Sequence, residues 1–409
     1  MSRTSSSARP VSLYVHFPFC LSVCPYCDFV VYGGRSARGP GNQIEAFVDA
    51  VVAEIGMRAV DASLATVYLG GGTPSLMSPG QVAHVLGAID RGFGIAAGAE
   101  VTIEANPGAG ERGDLAGFRS AGVNRLSIGA QSFDAGELSR LGRRHSPADI
   151  GATVADARAA GFDNISLDLL YNVPGQTVDS WSQTADAAIA VEPDHVSAYE
   201  LALDDPDLEG LSGAGGDHLP MRPGARRWRE RARREQDDES AADWYEIADD
   251  RLTVAGLGWY ELSNWARPGR ASRHNLSYWL GDAWDAVGPG AHAFDGARTR
   301  RWNVARLDGY LAALTPTDES EVRLPPGGSE TTDEATADAE GAILRLRTRR
   351  GLPPETASAP QFRAPLRWAR AGGLVEATSG QGVRLTRRGR LLSNELFVRL
   401  LPDVQDGAA

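Results

Sequence analysis

The sequence predicts an α/β fold in which strands and helices alternate about six times along the chain. Short runs of β-branched and apolar residues, typical of buried strands, occur at 12–17, 66–69, 100–105, 125–130, 164–170 and 195–201. Apolar residues at helical spacing fill the intervals at 43–60, 79–91, 111–121, 148–160 and 178–191. This alternation predicts parallel strands joined by right-handed crossovers, in a doubly wound sheet or in a full or partial barrel.

The individual segments support this prediction in chain order. The strand sequences are SLYVHF, TVYL, EVTIEA, RLSIGA, NISLDLL and HVSAYEL, each short and rich in apolar residues. The helix at 43–60 shows the clearest helical spacing of apolar residues, and the four later helices show it less cleanly. We identify no internal repeat beyond the alternation of strand and helix.

Length and composition limit the possible architectures and functions. A chain of 409 residues with 42% hydrophobic content can bury one large core and a smaller one, since single cores stop growing near roughly 250–300 residues. The net charge of −12 argues against general nucleic-acid binding, and the absence of lysine excludes Schiff-base chemistry. No run of 18 apolar residues and no signal-peptide pattern occurs, so we expect a cytoplasmic protein.

Changes in composition along the chain predict five regions. We expect a flexible N-terminus at 1–11, the α/β domain at 12–210, an accessory region at 211–315, a linker at 316–335 and a C-terminal helical, winged-helix-like module at 336–401. The stretch 205–240 looks like an insertion, and we interpret its arginine-rich part, 225–234, as a solvated helix rather than a binding patch.

Polar and glycine residues lie at or just beyond the carboxyl ends of several of the predicted strands. In parallel α/β folds the carboxyl ends of the strands form the active-site edge, so side chains placed there belong to one site. The residues that occupy these positions are Cys20 to Cys27, Gly70 to Thr73, Glu104, Gln131, Asp168 and Tyr199.

All three cysteines lie in the loop after the first strand, in the sequence CLSVCPYC. They cannot form a disulfide framework and indicate metal or redox chemistry in a reducing compartment. Three thiolates can hold three irons of a cubane cluster and leave the fourth iron open for an exchangeable ligand. A zinc site with His16 as fourth ligand is the alternative, but zinc ligands usually come in two separated pairs.

The spacing C-x3-C-x2-C, with an aromatic residue before the third cysteine, resembles the signature of the radical S-adenosylmethionine (SAM) superfamily. The sequence GGGTP at 70–74 resembles the segment that contacts the amino-acid end of SAM there. Consecutive glycines allow the backbone to approach a ligand closely. The resemblance implies a (β/α)6 partial TIM barrel, SAM as cofactor, and a [4Fe–4S] cluster on Cys20, Cys24 and Cys27.

Further segments resemble the group that contains oxygen-independent coproporphyrinogen III oxidase and the HemW-type heme chaperones. They are YVHFPFC, EANP, GAQSF, LDLLYNVPGQT and RHNLSYW, and the resemblance extends from about 12 to 400. It implies SAM contacts from Tyr14, Gly71, Gly72, Thr73, Glu104, Gln131, Arg143, Asp168 and Ala202. Carboxylates can accept hydrogen bonds from the ammonium and ribose hydroxyl groups of SAM, and an arginine can pair with its carboxylate.

Three features favour the chaperone branch of this group over the oxidase. Asp28 and Phe29 follow the third cysteine, where the oxidase has a further cysteine, and the first strand begins near residue 12, without the extension of the oxidase. The sequence HNLSYW at 274–279 matches the HNxxYW motif that is associated with heme binding. The resemblance makes His274 the candidate heme ligand, with His292 as a second candidate. The periodicity of the sequence alone instead favours packing of His274 against its aromatic neighbours.

The resemblance therefore implies a heme chaperone that delivers heme to a heme-requiring enzyme, such as a respiratory protein at a membrane. Its expected cofactors and partners are the [4Fe–4S] cluster, SAM, heme and a reductant protein such as flavodoxin or ferredoxin, with no nucleic acid. The alternative is an oxygen-independent coproporphyrinogen III oxidase, which converts propionates to vinyl groups. A zinc-binding structural protein is the third hypothesis.

Overall fold

The computed structural model describes residues 8–203, 205, 207–212, 216–237, 239–315 and 321–402. Most of the predicted flexible N-terminus, parts of the 205–240 insertion and residues 316–320 of the predicted linker lie outside these ranges. The strands are β1 (Ser12–Phe17), β2 (Phe19–Cys20), β3 (Tyr32–Gly33), β4 (Leu64–Gly71), β5 (Ile95–Ala105), β6 (Arg125–Gln131), β7 (Ile165–Tyr171), β8 (His195–Glu200), β9 (Gly258–Glu261), β10 (Asn264–Ala266), β11 (Trp284–Val287), β12 (His292–Phe294), β13 (Thr299–Asn303), β14 (Gly327–Thr331), β15 (Val375–Ala377) and β16 (Val383–Leu385).

Helices connect most of the parallel strands and build the C-terminal part of the chain. They are α1 (Ile44–Arg58), α2 (Pro79–Phe93), α3 (Leu115–Ser120), α4 (Ala135–Arg140), α5 (Pro147–Ala159), α6 (Val178–Ala190), α7 (Pro223–Ala232), α8 (Ala241–Val254), α9 (Arg273–Leu280), α10 (Leu307–Leu314), α11 (Glu334–Leu346), α12 (Pro354–Ala357), α13 (Pro360–Ala371), α14 (Arg387–Leu391) and α15 (Ser393–Leu400). Among the described helices, none is long and apolar enough to cross a membrane.

One sheet of twelve strands organises the molecule, in the order β14-β13-β12-β11-β1-β4-β5-β6-β7-β8-β10-β9. The strands from β11 to β8 are parallel to one another, and the strands at both margins pair antiparallel. The six predicted strands are β1, β4, β5, β6, β7 and β8, so the predicted α/β architecture is confirmed. Within the described ranges β14 and β9 are the edges, and the barrel is therefore partial.

The two faces of the parallel strands differ in polarity because successive side chains point to opposite sides. On β1, Leu13, Val15 and Phe17 are at most 1% exposed and pack in the main hydrophobic core with residues of α1 and α2. Alternate residues point the other way, toward a central cavity lined by Tyr14, Tyr68, Glu104, Ser127, Asp168 and Ser197. Each strand thus contributes apolar side chains to the core under the helices and polar side chains to the cavity.

Capping interactions fix where several of the crossover helices begin. Ser78 Oγ accepts from Gln81 N at 3.2 Å, and Gln81 Oε1 accepts from Ser78 N at 2.9 Å, which forms a capping box at the start of α2. The same reciprocal pair begins α5, between Ser146 and Asp149. These caps end the loops that follow β4 and α4, and those loops carry Gly72 and Arg143 of the cavity.

The predicted accessory region, 211–315, extends the main sheet at both margins. Strands β9 and β10 continue from β8, whereas β11 pairs in parallel with β1 and leads into β12 and β13. Within the predicted linker, Gly327–Thr331 forms β14 on β13. These strands contain three to five residues each, too few to show a period-two pattern in the sequence.

The C-terminal part of the chain has a hydrophobic core of its own. Helices α11, α13 and α15 and the hairpin β15–β16 supply its buried side chains, among them Leu346, Phe362, Leu385 and Leu396. Helices combined with a two-stranded hairpin confirm the predicted helical, winged-helix-like module. It contacts the rest of the molecule through α8 and α9.

Candidate functional site

The predicted cluster ligands, the predicted SAM contacts except Thr73, and the first heme-ligand candidate line one cavity of about 550 Å³ inside the partial barrel, whereas the second candidate, His292, does not line it. A cavity of this size lies within the usual range of ligand sites, about 300–1,000 Å³. Thr73 lies beside the cavity and donates a hydrogen bond from Oγ1 to Cys20 Sγ at 3.4 Å. The residues that line the cavity include Tyr14, Cys20, Cys24, Cys27, Gly71, Gly72, Glu104, Gln131, Arg143, Asp168, Ala202 and His274.

The three cysteines lie at the carboxyl edge of the parallel strands, with Cys20 at the end of β2 and the other two in the loop between β2 and β3. Burial raises the pKa of Cys20 to about 11, although the hydrogen bond from Thr73 lowers it in part. Burial also raises the pKa of Cys27 to about 12. Arg143 Nη1 donates to Cys24 Sγ at 3.7 Å. Iron binding requires thiolates, so it must release the thiol protons that burial favours.

The proposed fourth zinc ligand, His16, has both ring nitrogens engaged elsewhere. Its Nε2 lies 2.8 Å from the carbonyl oxygen of Val30, and its Nδ1 lies 3.0 Å from the hydroxyl of Tyr14. The carbonyl only accepts, so Nε2 donates and Nδ1 accepts from Tyr14. Burial also lowers the pKa of His16 to about 4. These contacts make His16 part of the barrel wall and favour the cluster over the zinc site.

The glycines after β4 bring the backbone close to the cysteine loop. Gly71 has a φ of +111°, which favours glycine, and a Cβ on Gly72 would lie 2.6 Å from the carbonyl oxygen of Phe19. Gly71 N also donates to Glu104 Oε2 at 2.9 Å, and Tyr68 donates to Glu104 Oε1 at 2.8 Å. Burial raises the pKa of Glu104 to about 7, although the hydrogen bond from Tyr68 acts in the opposite direction and lowers it.

Asp168 and Gln131 lie on neighbouring strands of the cavity wall. The Ser127 hydroxyl donates to both oxygens of Asp168, at 3.3 and 3.2 Å, and burial raises the pKa of this carboxyl. Gln131 has a φ of +67°, a conformation that costs energy in a residue other than glycine. Both side chains line the cavity, with hydrogen-bonding atoms for a ribose or an adenine.

Asn106 holds several of these groups together and was not predicted as a site residue. Its Oδ1 accepts from Arg143 Nη2 at 2.5 Å, and its Nδ2 donates to Thr73 Oγ1 at 3.0 Å. Arg143 Nη2 also donates to the carbonyl oxygen of Gly129 at 2.8 Å. These contacts place Arg143 in the cavity wall. The sequence signal that could have identified Asn106 is its position directly after the end of a strand, in EANP.

The HNxxYW motif begins α9 and forms the floor of the cavity. His274 is 2% exposed, with Nδ1 2.7 Å from the Thr66 hydroxyl and Nε2 2.7 Å from the Tyr278 hydroxyl. Glu100 accepts from the backbone N–H groups of Arg273 and His274, which ties α9 to the middle of β5. The structure therefore places His274 in the cavity wall with both ring nitrogens hydrogen-bonded, and burial lowers its pKa to about 3.

Two arginines of the site were not predicted as site residues. Arg125, the first residue of β6, is 2% exposed on the floor of the cavity, and its Nε has no hydrogen-bond partner within the described residues. Arg229 belongs to α7, the helix interpreted as solvated, but it is 3% exposed. It donates to the carbonyl oxygens of Pro25 and Tyr26 in the cysteine loop, at 3.3 and 2.8 Å. The predicted helix at 225–234 is confirmed as α7. The prediction that this helix is solvated is wrong for one face, because that face packs on the cysteine loop.

The residues present fit a [4Fe–4S] cluster with an open iron and a bound SAM. Three thiols come from one loop, the backbone of Gly71 and Gly72 lies open to the cavity, and Arg143 Nε is a buried donor without a partner in the described structure. Cys20, Cys24 and Cys27 would hold the cluster, and Glu104 and Asp168 would accept hydrogen bonds from SAM. The reduced cluster supplies an electron to SAM in such a site.

Comparison with known proteins agrees with this geometry. The family model of the radical SAM superfamily matches residues 14–188. The chain is 38% identical to the heme chaperone HemW of Mycobacterium tuberculosis, over 96% of this chain and 95% of that protein. The chain belongs to the HemW-type family of radical SAM proteins. It is also 31% identical to the heme chaperone HemW of Bacillus subtilis, over 96% of this chain and the whole of that protein.

This HemW-type chain also shares its fold with a solved enzyme structure. Coproporphyrinogen III oxidase (HemN) from Escherichia coli superposes with a TM-score of 0.73 at 22% identity, covering 97% of this chain and 91% of that one. At this identity the likeness shows the fold, which includes the C-terminal module. Membership of the radical SAM superfamily implies a [4Fe–4S] cluster and SAM binding for this HemW-type chain.

Proposed function

We propose that the protein is a heme chaperone that holds a [4Fe–4S] cluster and SAM, binds heme and delivers it to heme-requiring enzymes, including respiratory ones. The observation that carries this proposal is the similarity to two heme chaperones over 96% of the chain, which spans both the barrel and the C-terminal module. The assembled cavity supports the cofactor part, because Cys20, Cys24, Cys27, Glu104 and Asp168 all line it.

The same proposal includes partners and a location. We propose that Cys20, Cys24 and Cys27 are the cluster ligands and that the cluster receives electrons from a small protein such as flavodoxin or ferredoxin, in the cytoplasm. Tyr14, Gly71, Gly72, Thr73, Gln131, Arg143 and Ala202 complete the proposed SAM contacts. Their assembly around one cavity supports this assignment.

His274 is a candidate heme ligand in this proposal, under one structural condition. Its Nε2 already contacts the Tyr278 hydroxyl at 2.7 Å, so ligation of iron requires this hydroxyl to move away. Its Nδ1 is engaged by Thr66 at 2.7 Å. Imidazole is a common axial ligand of heme iron, but only through a nitrogen whose lone pair is available.

The test is an anaerobic heme titration of cluster-reconstituted protein, followed by absorbance. Coproporphyrinogen III with SAM and a reductant is incubated with the same protein in parallel. We expect stoichiometric heme binding and no protoporphyrinogen. Porphyrinogen turnover without tight heme binding would contradict the chaperone function and indicate the oxidase instead.

A further inference from the structure

A buried arginine on the cavity floor has no partner in the part of the chain that the structure describes. Arg125, the first residue of β6, lines the cavity and is 2% exposed. Within the described ranges its side chain makes no hydrogen bond and no ion pair, and its Nε is fully buried. Burying a charge without a partner costs free energy, because the lost water is not replaced. The floor therefore holds a cation that is ready for an anionic ligand.

The carboxylates whose charges act on Arg125 are engaged elsewhere. Glu100 accepts from two backbone N–H groups at the start of α9, and both oxygens of Asp168 accept from the Ser127 hydroxyl. Burial opposes the charge of Arg125, but Glu100 and other acidic groups around the floor raise its pKa above the usual value. Arg125 is therefore charged, and its fork of N–H donors is available to a carboxylate from outside the protein.

Thr102 supplies a second unsatisfied group beside Arg125. Tyr68 of β4 pairs with Thr102 of β5, and Thr102 pairs with Arg125 of β6, so the three side chains share the cavity face of the sheet. Thr102 is buried, and its hydroxyl has no hydrogen-bond partner among the described residues. An arginine and a hydroxyl on adjacent strands can both donate to one carboxylate.

The same row of side chains leads to His274. The Tyr68 ring stacks on the His274 ring, with centroids 5.1 Å apart and an interplanar angle of 29°. Two strand spacings, roughly 10 Å, separate Tyr68 from Arg125. The charge of Arg125 also contributes, after burial, to the lowered pKa of His274. A ligand as wide as a porphyrin that lies on this floor therefore reaches both His274 and Arg125.

The cysteines and the expected amino-acid end of SAM lie at the opposite end of the strands. Arg125 and Gln131 are the first and last residues of β6, and the six steps between them correspond to roughly 20 Å of strand. A SAM molecule whose amino-acid end binds the open iron keeps its carboxylate at the carboxyl edge, beside the cysteine loop. The carboxylate that fits Arg125 is therefore a different one.

We propose that Arg125 binds a propionate carboxylate of heme on the cavity floor, with the Thr102 hydroxyl as a second donor. The proposal rests on the heme-binding function proposed above, with His274 as the iron ligand, and it assigns a residue to the acidic edge of the porphyrin. The propionates are the ionised side groups of heme, and a guanidinium matches a carboxylate in charge and in planar, two-pronged geometry.

The test compares heme with its dimethyl ester, in which both propionates are uncharged. Full-length, cluster-reconstituted protein is titrated anaerobically with each compound in the same dilute detergent, and the absorbance change gives two dissociation constants. We expect the wild type to bind heme about 10–100-fold more tightly than the ester, because the ester loses the charge-assisted pair. In Arg125→Gln the two affinities become equal.

Two further variants serve as controls. Arg91→Gln changes an exposed arginine of α2 and keeps the preference of the wild type for heme over the ester. His274→Ala removes the iron ligand, so it weakens the binding of both compounds but keeps the ratio between them. Iron content and the thermal unfolding midpoint show that each variant is folded and carries the cluster.

The outcomes separate this proposal from the proposed function. Absence of heme binding by the wild-type protein overturns both. Equal wild-type affinities for heme and the ester overturn only the propionate site, and this result needs no variant that could misfold. An unchanged preference in folded Arg125→Gln overturns it as well. If that variant instead weakens SAM binding in calorimetry without heme and keeps the heme preference, the carboxylate on Arg125 belongs to SAM and the proposal is wrong.

Discussion

Glu104 shows how one buried side chain can link protonation to ligand binding. Its carboxylate is held by Tyr68 and by the backbone N–H of Gly71, but its charge is poorly solvated in the cavity wall. Burial raises its pKa from 4.5 to about 7, so the group is protonated over much of the range below neutrality. The raised pKa also means that this group stabilises the folded state less as the pH rises from about 4.5 to 7.

We therefore predict that Glu104→Gln weakens SAM binding by about 10–100-fold, because one charge-assisted hydrogen bond contributes about 1.5–3 kcal/mol. In the proposed complex, ionised Glu104 would accept a hydrogen bond from the amino group of SAM, so we expect wild-type affinity to rise between about pH 6 and pH 8 and the variant to show a flatter profile. Anaerobic calorimetry of the reconstituted protein measures both effects, with the exposed Glu45→Gln as control. Equal affinities for variant and wild type would show that Glu104 does not contact SAM.

His274 contributes to stability through its two hydrogen bonds. We predict that His274→Ala lowers the free energy of unfolding by about 2–4 kcal/mol, because it removes both bonds and leaves the Thr66 and Tyr278 hydroxyls inside a cavity. Differential scanning calorimetry should show a lower unfolding midpoint for this variant than for His84→Ala, which changes an exposed histidine. Identical midpoints would mean that the floor of the cavity does not depend on this imidazole.

At the scale of single elements, α7 positions the cysteine loop. Besides its two backbone contacts, Arg229 pairs with Asp28, the residue after the third cysteine. Trp228, one position earlier, packs on Tyr26 with ring centroids 6.5 Å apart and donates to the carbonyl oxygen of Arg140 at 3.1 Å. A helix from the insertion therefore holds the loop that carries the thiols.

We predict that Arg229→Gln speeds the loss of iron from the reconstituted protein to a chelator by about tenfold. The shorter amide cannot keep all of the contacts to the loop, and each lost charge-assisted bond makes local opening easier. The change in absorbance near the cluster band measures the rate. Arg227→Gln, on the exposed face of the same helix, is the matched control. The role of α7 is contradicted if both variants release iron at the wild-type rate.

The sequence predicted long, periodic elements better than short ones. The helix predicted at 43–60 is α1, and the strand predicted at 12–17 is β1 with the same bounds. The strand β11 was missed because its four residues, between Trp284 and Val287, carry no periodic signal, and only the exposed flank of β1 in three dimensions gives it a partner. Arg229 and the cysteine loop are about 200 positions apart in the sequence, so no local sequence pattern could predict their contact.

At the scale of the whole molecule, a buried ion pair joins the C-terminal module to the barrel. Arg390 binds Asp249 through two hydrogen bonds, at 3.0 and 2.8 Å, and its guanidinium lies 4.5 Å from the ring centroid of Trp259. The side chains of Arg390 and Asp249 are 8% and 9% exposed. Removing Arg390 leaves Asp249 with Trp265 and, at 3.5 Å, Arg387 as partners, so its buried charge is less well compensated.

We predict that Arg390→Ala loosens the docking of the C-terminal module. Limited proteolysis of the variant should release the module, residues 334–400, faster than it does from the wild type, and the thermal unfolding midpoint should fall. Arg388→Ala is the matched control, because Arg388 is exposed on the same helix, α14. Wild-type proteolysis of Arg390→Ala would show that other contacts hold the module in place.

The sequence by itself determined the alternation of strands and helices, the cysteine triad and the strand ends that carry polar residues, because each of these signals lies within a few neighbouring positions. Of the thirteen residues predicted to bind the cluster, SAM or, through His274, heme, twelve line one cavity, because parallel strands bring their carboxyl ends to one edge. Only the tertiary structure decided that His274 lies hydrogen-bonded on the cavity floor, that Arg229 holds the cysteine loop, and that Arg125 lies on the same floor without a partner among the described residues. Those contacts depend on how distant segments pack, and packing is not encoded in any single stretch of the chain.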